Sequence, residues 1–151
     1  MNSYSPDSDA DLGVLHLALS PRAACRFQSS PARSLHAALL RRLELLDPDL
    51  SQALHDAPAG AHSSDHPWTI SPLLGHLDQE GNNPVAVPGR PYRVRITALV
   101  PDLLAALVAA FDPATPLGWE PLPLEHVPFD VIAESSRWEA MATYPSLLTA
   151  A

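Results

Sequence analysis

Three groups of residues in this chain have types and spacings that could do chemistry. The first is His55, in the run Leu54-His55-Asp56 at the end of an expected helix. An imidazole exchanges a proton near neutral pH, so this residue is a candidate acid or base. The same position equally suits a histidine that caps the negative end of the helix. The second group is Arg93 and Arg95, two residues apart on a strand, with Arg90 just before it. A guanidinium fork fits a phosphate, and alternate residues of a strand share a face, so these side chains form a local basic stripe. An ordinary solvated sheet face with salt bridges to nearby acids would look the same. Arg41 and Arg42, flanking the apolar stripe of the first helix, have a weaker form of the same claim. The third group is His62 and His66 with Asp56 and Asp65. These are ligand types that zinc accepts, but their spacing fits no established zinc pattern, so a solvated loop without metal or other cofactor is expected.

Cys25 is the lone cysteine, so it makes no internal disulfide. It lies in an expected polar loop beside Arg22 and Arg26, where a cation would lower its pKa. No Cys-His-Asn signature surrounds it, which argues against a nucleophile. Trp68 and Trp119 are expected in the core or at its margin.

The elements that must position these groups follow from periodicity. Leu15, Leu17 and Leu19 alternate with His16 and Ala18, the two-residue period of a strand that Pro21 ends. A loop is expected over 23–33. Ser34 is the expected N-cap of a helix whose Leu35, Leu39, Leu43 and Leu46 recur at helical spacing. Pro48 stops that helix, and Asp47 caps a second, short one running to about His55. A small-residue loop over 57–67 leads to a short strand, Trp68 to Leu74, placed at a sheet edge by Pro72. The segment from Asp78 to Arg90 reads as turns. The clearest strand follows: Tyr92, Val94, Ile96 and Ala98 face one way, and Arg93, Arg95 and Thr97 the other. A helix from Pro101 to Asp112, a long proline-broken strand from Trp119 to about Glu134, and a short helix from Pro145 complete the order. That order is β-α-(α)-β-β-α-β. It predicts an α+β, ferredoxin-like domain: an antiparallel sheet with helices on one face.

The chain has 151 residues and a formal net charge of -8, and all nine basic residues are arginines. This length suits one domain that buries its own core. The average field repels phosphate, so a generic polyanion or anionic-membrane binder is disfavoured. Seventeen prolines predict interrupted helices and fixed turns. No apolar run approaches the ~20 residues that span a bilayer. Residues 1–11 are polar and acidic without a basic start, so a disordered tail rather than a secretory signal is expected, with no membrane partner and a cytoplasmic location.

One ordered series is more specific than its periods. It runs Ser34-Leu-His-Ala-Ala-Leu-Leu, Leu46-Asp-Pro-Asp-Leu-Ser-Gln-Ala-Leu-His-Asp56, Trp68-Thr-Ile-Ser-Pro-Leu73, and Gly89-Arg-Pro-Tyr-Arg-Val-Arg-Ile-Thr-Ala-Leu99. Trp138 and Thr143-Tyr-x-x-Leu-Leu148 follow. The series resembles the N-terminal domain of the CRISPR-associated endoribonucleases that process precursor repeat RNA (the Cas-six type). The resemblance runs from about Leu12 to Ala151. It implies a RAMP-type ferredoxin-like domain over 12–136, and a segment over 137–151 leading into a second such domain that this chain lacks. It implies repeat RNA as partner and metal-independent acid–base cleavage, leaving 2′,3′-cyclic phosphate and 5′-hydroxyl ends. The implied catalytic residue is His55, with His66 and His36 as substitutes. A homodimer is expected if the face left by the second domain needs covering. The chain departs from the family pattern at two positions. Leu40 stands where members carry a tyrosine on the first helix, and the position of their lysine falls near Asp65 or His66. A non-catalytic RNA-binding or protein-assembly module of the same fold is therefore the alternative.

Overall fold

A computed structural model describes residues 11–55, 68–112, 120–132 and 136–142. In order these form β1 (Leu12–Pro21), β2 (Cys25–Arg26), α1 (Pro31–Leu46), α2 (Pro48–His55), β3 (Trp68–Ile70), β4 (Asp78–Glu80), β5 (Asn83–Ala86), β6 (Tyr92–Ala98), α3 (Pro101–Ala110), β7 (Leu122–Leu124), β8 (Val127–Val131) and β9 (Arg137–Ala142). The expected tail before residue 11, Trp119, and the helix from Pro145 lie outside the described residues.

The main sheet runs β3-β6-β1-β8-β7, and every pairing is antiparallel. β1 is its centre. One edge of β1 pairs with β6 from Gly13 to Leu19; the other edge pairs with β9 over Leu12–His16 and with β8 over Leu19–Pro21. Leu15, Leu17 and Leu19 stand opposite Ile96, Val94 and Tyr92, and all six are buried. That row faces α1 and α3, whose Leu35, Leu39, Leu43, Leu103, Leu104 and Leu107 complete the core. The architecture is the ferredoxin-like α+β fold that the element order predicts.

Local physics sets the helix boundaries. α1 begins at Pro31, three residues before the expected cap, because proline in the first turn needs no N–H partner and has its φ preset. Ser34 instead donates its hydroxyl to Glu125 at 2.7 Å, tying α1 to the turn between β7 and β8. Asp47 caps α2 as expected, its carboxylate accepting from the Leu50 N–H at 3.0 Å.

Three other expectations are corrected. The turn-rich stretch from Asp78 to Arg90 contains the hairpin β4–β5, which joins β2 in a second, three-stranded sheet. Short polar strands of this kind lack the apolar alternation that a sequence reading detects. The single long strand expected after Trp119 is instead the hairpin β7–β8, because Glu125 and His126 both take positive φ and reverse the chain. Arg137–Ala142, placed by the sequence beyond the domain over 12–136, forms β9 and pairs with β1 inside the main sheet.

Candidate nucleic-acid interface

The sheet has one face under the helices and one face turned away from them. Alternation on β6 places Arg93 and Arg95 on the outer face, and both are exposed. Register puts His16 of β1 directly opposite Arg95, and Thr69 of β3 opposite Thr97. The β6 backbone is held from the edge side as well. Ser71 accepts the Arg95 N–H on its hydroxyl at 2.8 Å and donates its own N–H to the Arg95 carbonyl at 2.9 Å, while Arg93 and Leu74 exchange two backbone bonds. The two guanidinium stems therefore rise from a fixed backbone.

The arginines divide by their partners. Arg22 pairs with Asp130 at 2.7 Å, and Arg90 pairs with Asp78 at the same distance. Arg26 lies 3.6 Å from Glu80, and the Asn83 carboxamide oxygen accepts from it at 2.8 Å. Arg90 holds the Asp78 carboxyl below its ordinary pKa, mainly through that hydrogen bond. Its charge is thus already met by an acid, unlike those of its neighbours on β6. Among the described residues Arg33, Arg41, Arg93 and Arg95 have no carboxylate partner.

Arg42 is a correction. It was expected to flank the helix stripe as a phosphate contact, but it is only 5% exposed. It donates to the carbonyl oxygens of Glu120 and Pro121, and its guanidinium lies 5.1 Å from the Phe111 ring centroid. Burial pushes its pKa below the ordinary value, against the opposing pull of Glu120. Its place at i+3 and i+7 from Leu39 and Leu35 carries it to the buried side of α1. Arg41, one residue earlier, is exposed.

Cys25 is also corrected. It lies in β2 rather than in a loop, is fully buried, and its thiol donates to the Leu124 carbonyl at 3.5 Å. Burial, and then the charge of Glu125, push the thiol up to about 11, the opposite of an activated nucleophile.

Two of the candidate histidines, His36 and His55, belong to helices. His55 is the last residue of α2. His66, His62, Asp56 and Asp65 lie outside the described residues. Among the described residues no group of three or more His, Cys, Asp or Glu could hold a metal. His36 is exposed on α1, one turn before Leu40, and its ring centre lies 5.3 Å from that of Trp68, tilted by 56°. With Ala32, Arg33 and Ile70 these two rings line an open cleft of about 420 Å³ between α1 and β3. Sequence reading named His36 and Trp68 separately but missed Arg33 and the cleft, because their sequence separation hides the contact.

Several solved structures share this arrangement. One, described as a "Characterization of a Cas6-related gene from Pyrococcus furiosus", aligns with 85% of this chain and 48% of its own at 11% identity and a TM-score of 0.63. The domain has the Cas6-type fold. A Cas6 product complex aligns over 91% of this chain and 46% of its own, with 24% identity and a TM-score of 0.61. "An RAMP protein binding different RNA substrates" aligns over 85% and 48%, with 12% identity and a TM-score of 0.56. This chain spans about half the length of these structures. No family model and no curated protein matches its sequence. Among the described residues no helix is long and apolar enough to cross a membrane.

Proposed function

We propose that this chain is the N-terminal half of a Cas6-type protein that binds CRISPR repeat RNA and cleaves its precursor without metal. The observation that carries the reading is the pair Arg93 and Arg95, exposed and free of carboxylate partners among the described residues, on the face of a Cas6-type sheet turned away from α1 and α3. On a chain of charge -8, two such arginines on neighbouring same-face positions favour a local phosphate contact over a general field. The Cas6 product complex and the RAMP protein binding RNA substrates support RNA as the ligand class.

The proposed cleavage needs only proton transfer. One group takes the 2′-hydroxyl proton; the 2′-oxygen bonds to the adjacent phosphorus; the bond from phosphorus to the 5′-oxygen breaks, and a second group protonates that oxygen. His55 fills one role, and His66 or His36 is the expected source of the other. Arg93, Arg95 and Arg41 hold phosphates, and Arg90 does so only by exchanging Asp78 for the ligand.

The test is incubation of the protein with the host's repeat RNA, with and without EDTA. Cleavage that survives EDTA and disappears in His55→Ala supports the reading. Cleavage that persists in His55→Ala removes His55 from the chemistry.

A second reading, an RNA-binding module without turnover, is favoured by Leu40. This residue packs against the core where members of the resembling family carry a tyrosine. RNA binding that is unchanged by His55→Ala, lost in the Arg93→Ala/Arg95→Ala double variant, and never followed by cleavage selects that reading.

A further inference from the structure

The cleft between α1 and β3 lies on the other side of the sheet from Arg93 and Arg95, yet the two are one strand apart. β3 is the end strand of the main sheet, and among the described residues its neighbour there is β6, which carries both arginines. Adjacent strands are about 5 Å apart, so a chain crossing the outer face of β6 reaches the β3 edge in one further step. Alternation then divides β3 between the two sides. Thr69 stands on the outer face opposite Thr97, whereas Trp68 and Ile70 line the cleft.

The cleft has the groups one nucleotide requires. Trp68 is 92% buried and forms a fixed floor, and the imidazole of His36 leans on it with an exposed ring. Arg33, one turn away on the same helix, is exposed at the rim and has no carboxylate partner among the described residues. No residue of the first turn of α1 is itself acidic, and the one carboxylate that reaches it among the described residues, Glu125, is bound to the Ser34 hydroxyl rather than to Arg33. An aromatic surface beside an unneutralised guanidinium is the combination that holds a base and its phosphate in single-stranded nucleic acids.

We propose that this cleft is a second RNA contact. A nucleotide sits with its base on the His36 ring and its phosphate on Arg33, and the strand passes round the β3 edge from the outer face. The proposal rests on RNA being the ligand, and it assigns His36 to binding through its ring rather than to proton transfer.

The experiment is an anisotropy titration of a short fluorescein-labelled single-stranded RNA at several salt concentrations. It compares wild type, Arg33→Ala, His36→Ala, His36→Phe and Arg93→Ala/Arg95→Ala, each checked for an unchanged melting curve. His36→Ala is expected to bind roughly tenfold more weakly, as for one lost stack, and His36→Phe to retain wild-type affinity because the ring is kept. Arg33→Ala is expected to flatten the slope of log K against log salt by about 0.7, the value for one phosphate contact on a single strand. Wild-type affinity and slope in both Arg33→Ala and His36→Ala, with weakened binding in Arg93→Ala/Arg95→Ala, overturns the cleft but leaves the RNA reading standing. No binding by wild type at low salt overturns both.

Discussion

Cys25 shows how far a residue's chemistry depends on where its strand lies. Its neighbours Arg22 and Arg26 are turned to Asp130 and Glu80, so neither cation reaches the thiol. Burial dominates instead and holds the thiol protonated, up to about 11. The folded state therefore binds a proton that the unfolded chain releases nearer its ordinary value of 9.0. Stability from this group is complete below that ordinary value and falls as pH rises towards the folded one. Denaturant melts between pH 8 and 11 should show the loss, and Cys25→Ala should remove this part of the slope. Labelling with a thiol reagent at neutral pH should proceed only on unfolding. Rapid labelling of the native protein would contradict the burial. The separation of free from neutralised arginines belongs to the same scale. Arg90, Arg93 and Arg95 read alike in sequence, and only the position of Asp78 sets the first apart.

At the scale of elements, the hairpin β4–β5 and the strand β6 are locked together through Tyr92. Its ring is fully buried, and its hydroxyl accepts from the Val87 N–H at 3.0 Å and donates to the His76 carbonyl at 3.1 Å. Gly75, at the entry to this region, has φ of +143°, and a Cβ there would lie 2.8 Å from the Tyr92 ring. Neither the backbone nor a fully buried ring can yield cheaply. Gly75→Ala is therefore expected to cost roughly 1–3 kcal/mol, measured as a lowered urea midpoint. A neutral effect would mean that the Tyr92 anchor is looser than its two hydrogen bonds imply. The helices were legible in the chain because Leu35, Leu39 and Leu43 repeat at their own period and prolines mark both ends of α1. The second sheet was not. Its strands are two to four residues long, too short and too polar to show a period, and β2 pairs with a β5 that lies far along the chain.

For the whole molecule, Arg42 joins the helical layer to the far end of the sheet. It reaches from α1 to the carbonyls before β7 while stacking its charge over Phe111 at the end of α3. One of its terminal nitrogens, Nη1, is buried with no hydrogen-bond partner among the described residues, so the carbonyl bonds and the ring must offset that desolvation. Arg42→Ala leaves two carbonyls without their donor and is expected to destabilise the domain by about 2–3 kcal/mol. RNA affinity of the folded fraction should be unchanged. A selective loss of RNA binding at wild-type stability would restore Arg42 to the interface and refute its structural role.

The two alternating strands, both long helices and their order were legible in the chain, because each rests on a repeat within one segment. Alternation put Leu15, Leu17 and Leu19 on one face of β1 and Val94 and Ile96 on one face of β6, and the pairing of the two strands then set these rows opposite each other. The same alternation put Arg93 and Arg95 on the opposite face without reference to any partner. Only the tertiary structure decided which arginines are free and which are neutralised, that Arg42 and Cys25 are interior, and that Arg33, His36 and Trp68 meet in one cleft. Each of these is a contact between segments far apart in the chain. Burial and charge pairing act through space, and periodicity records only what acts along the backbone.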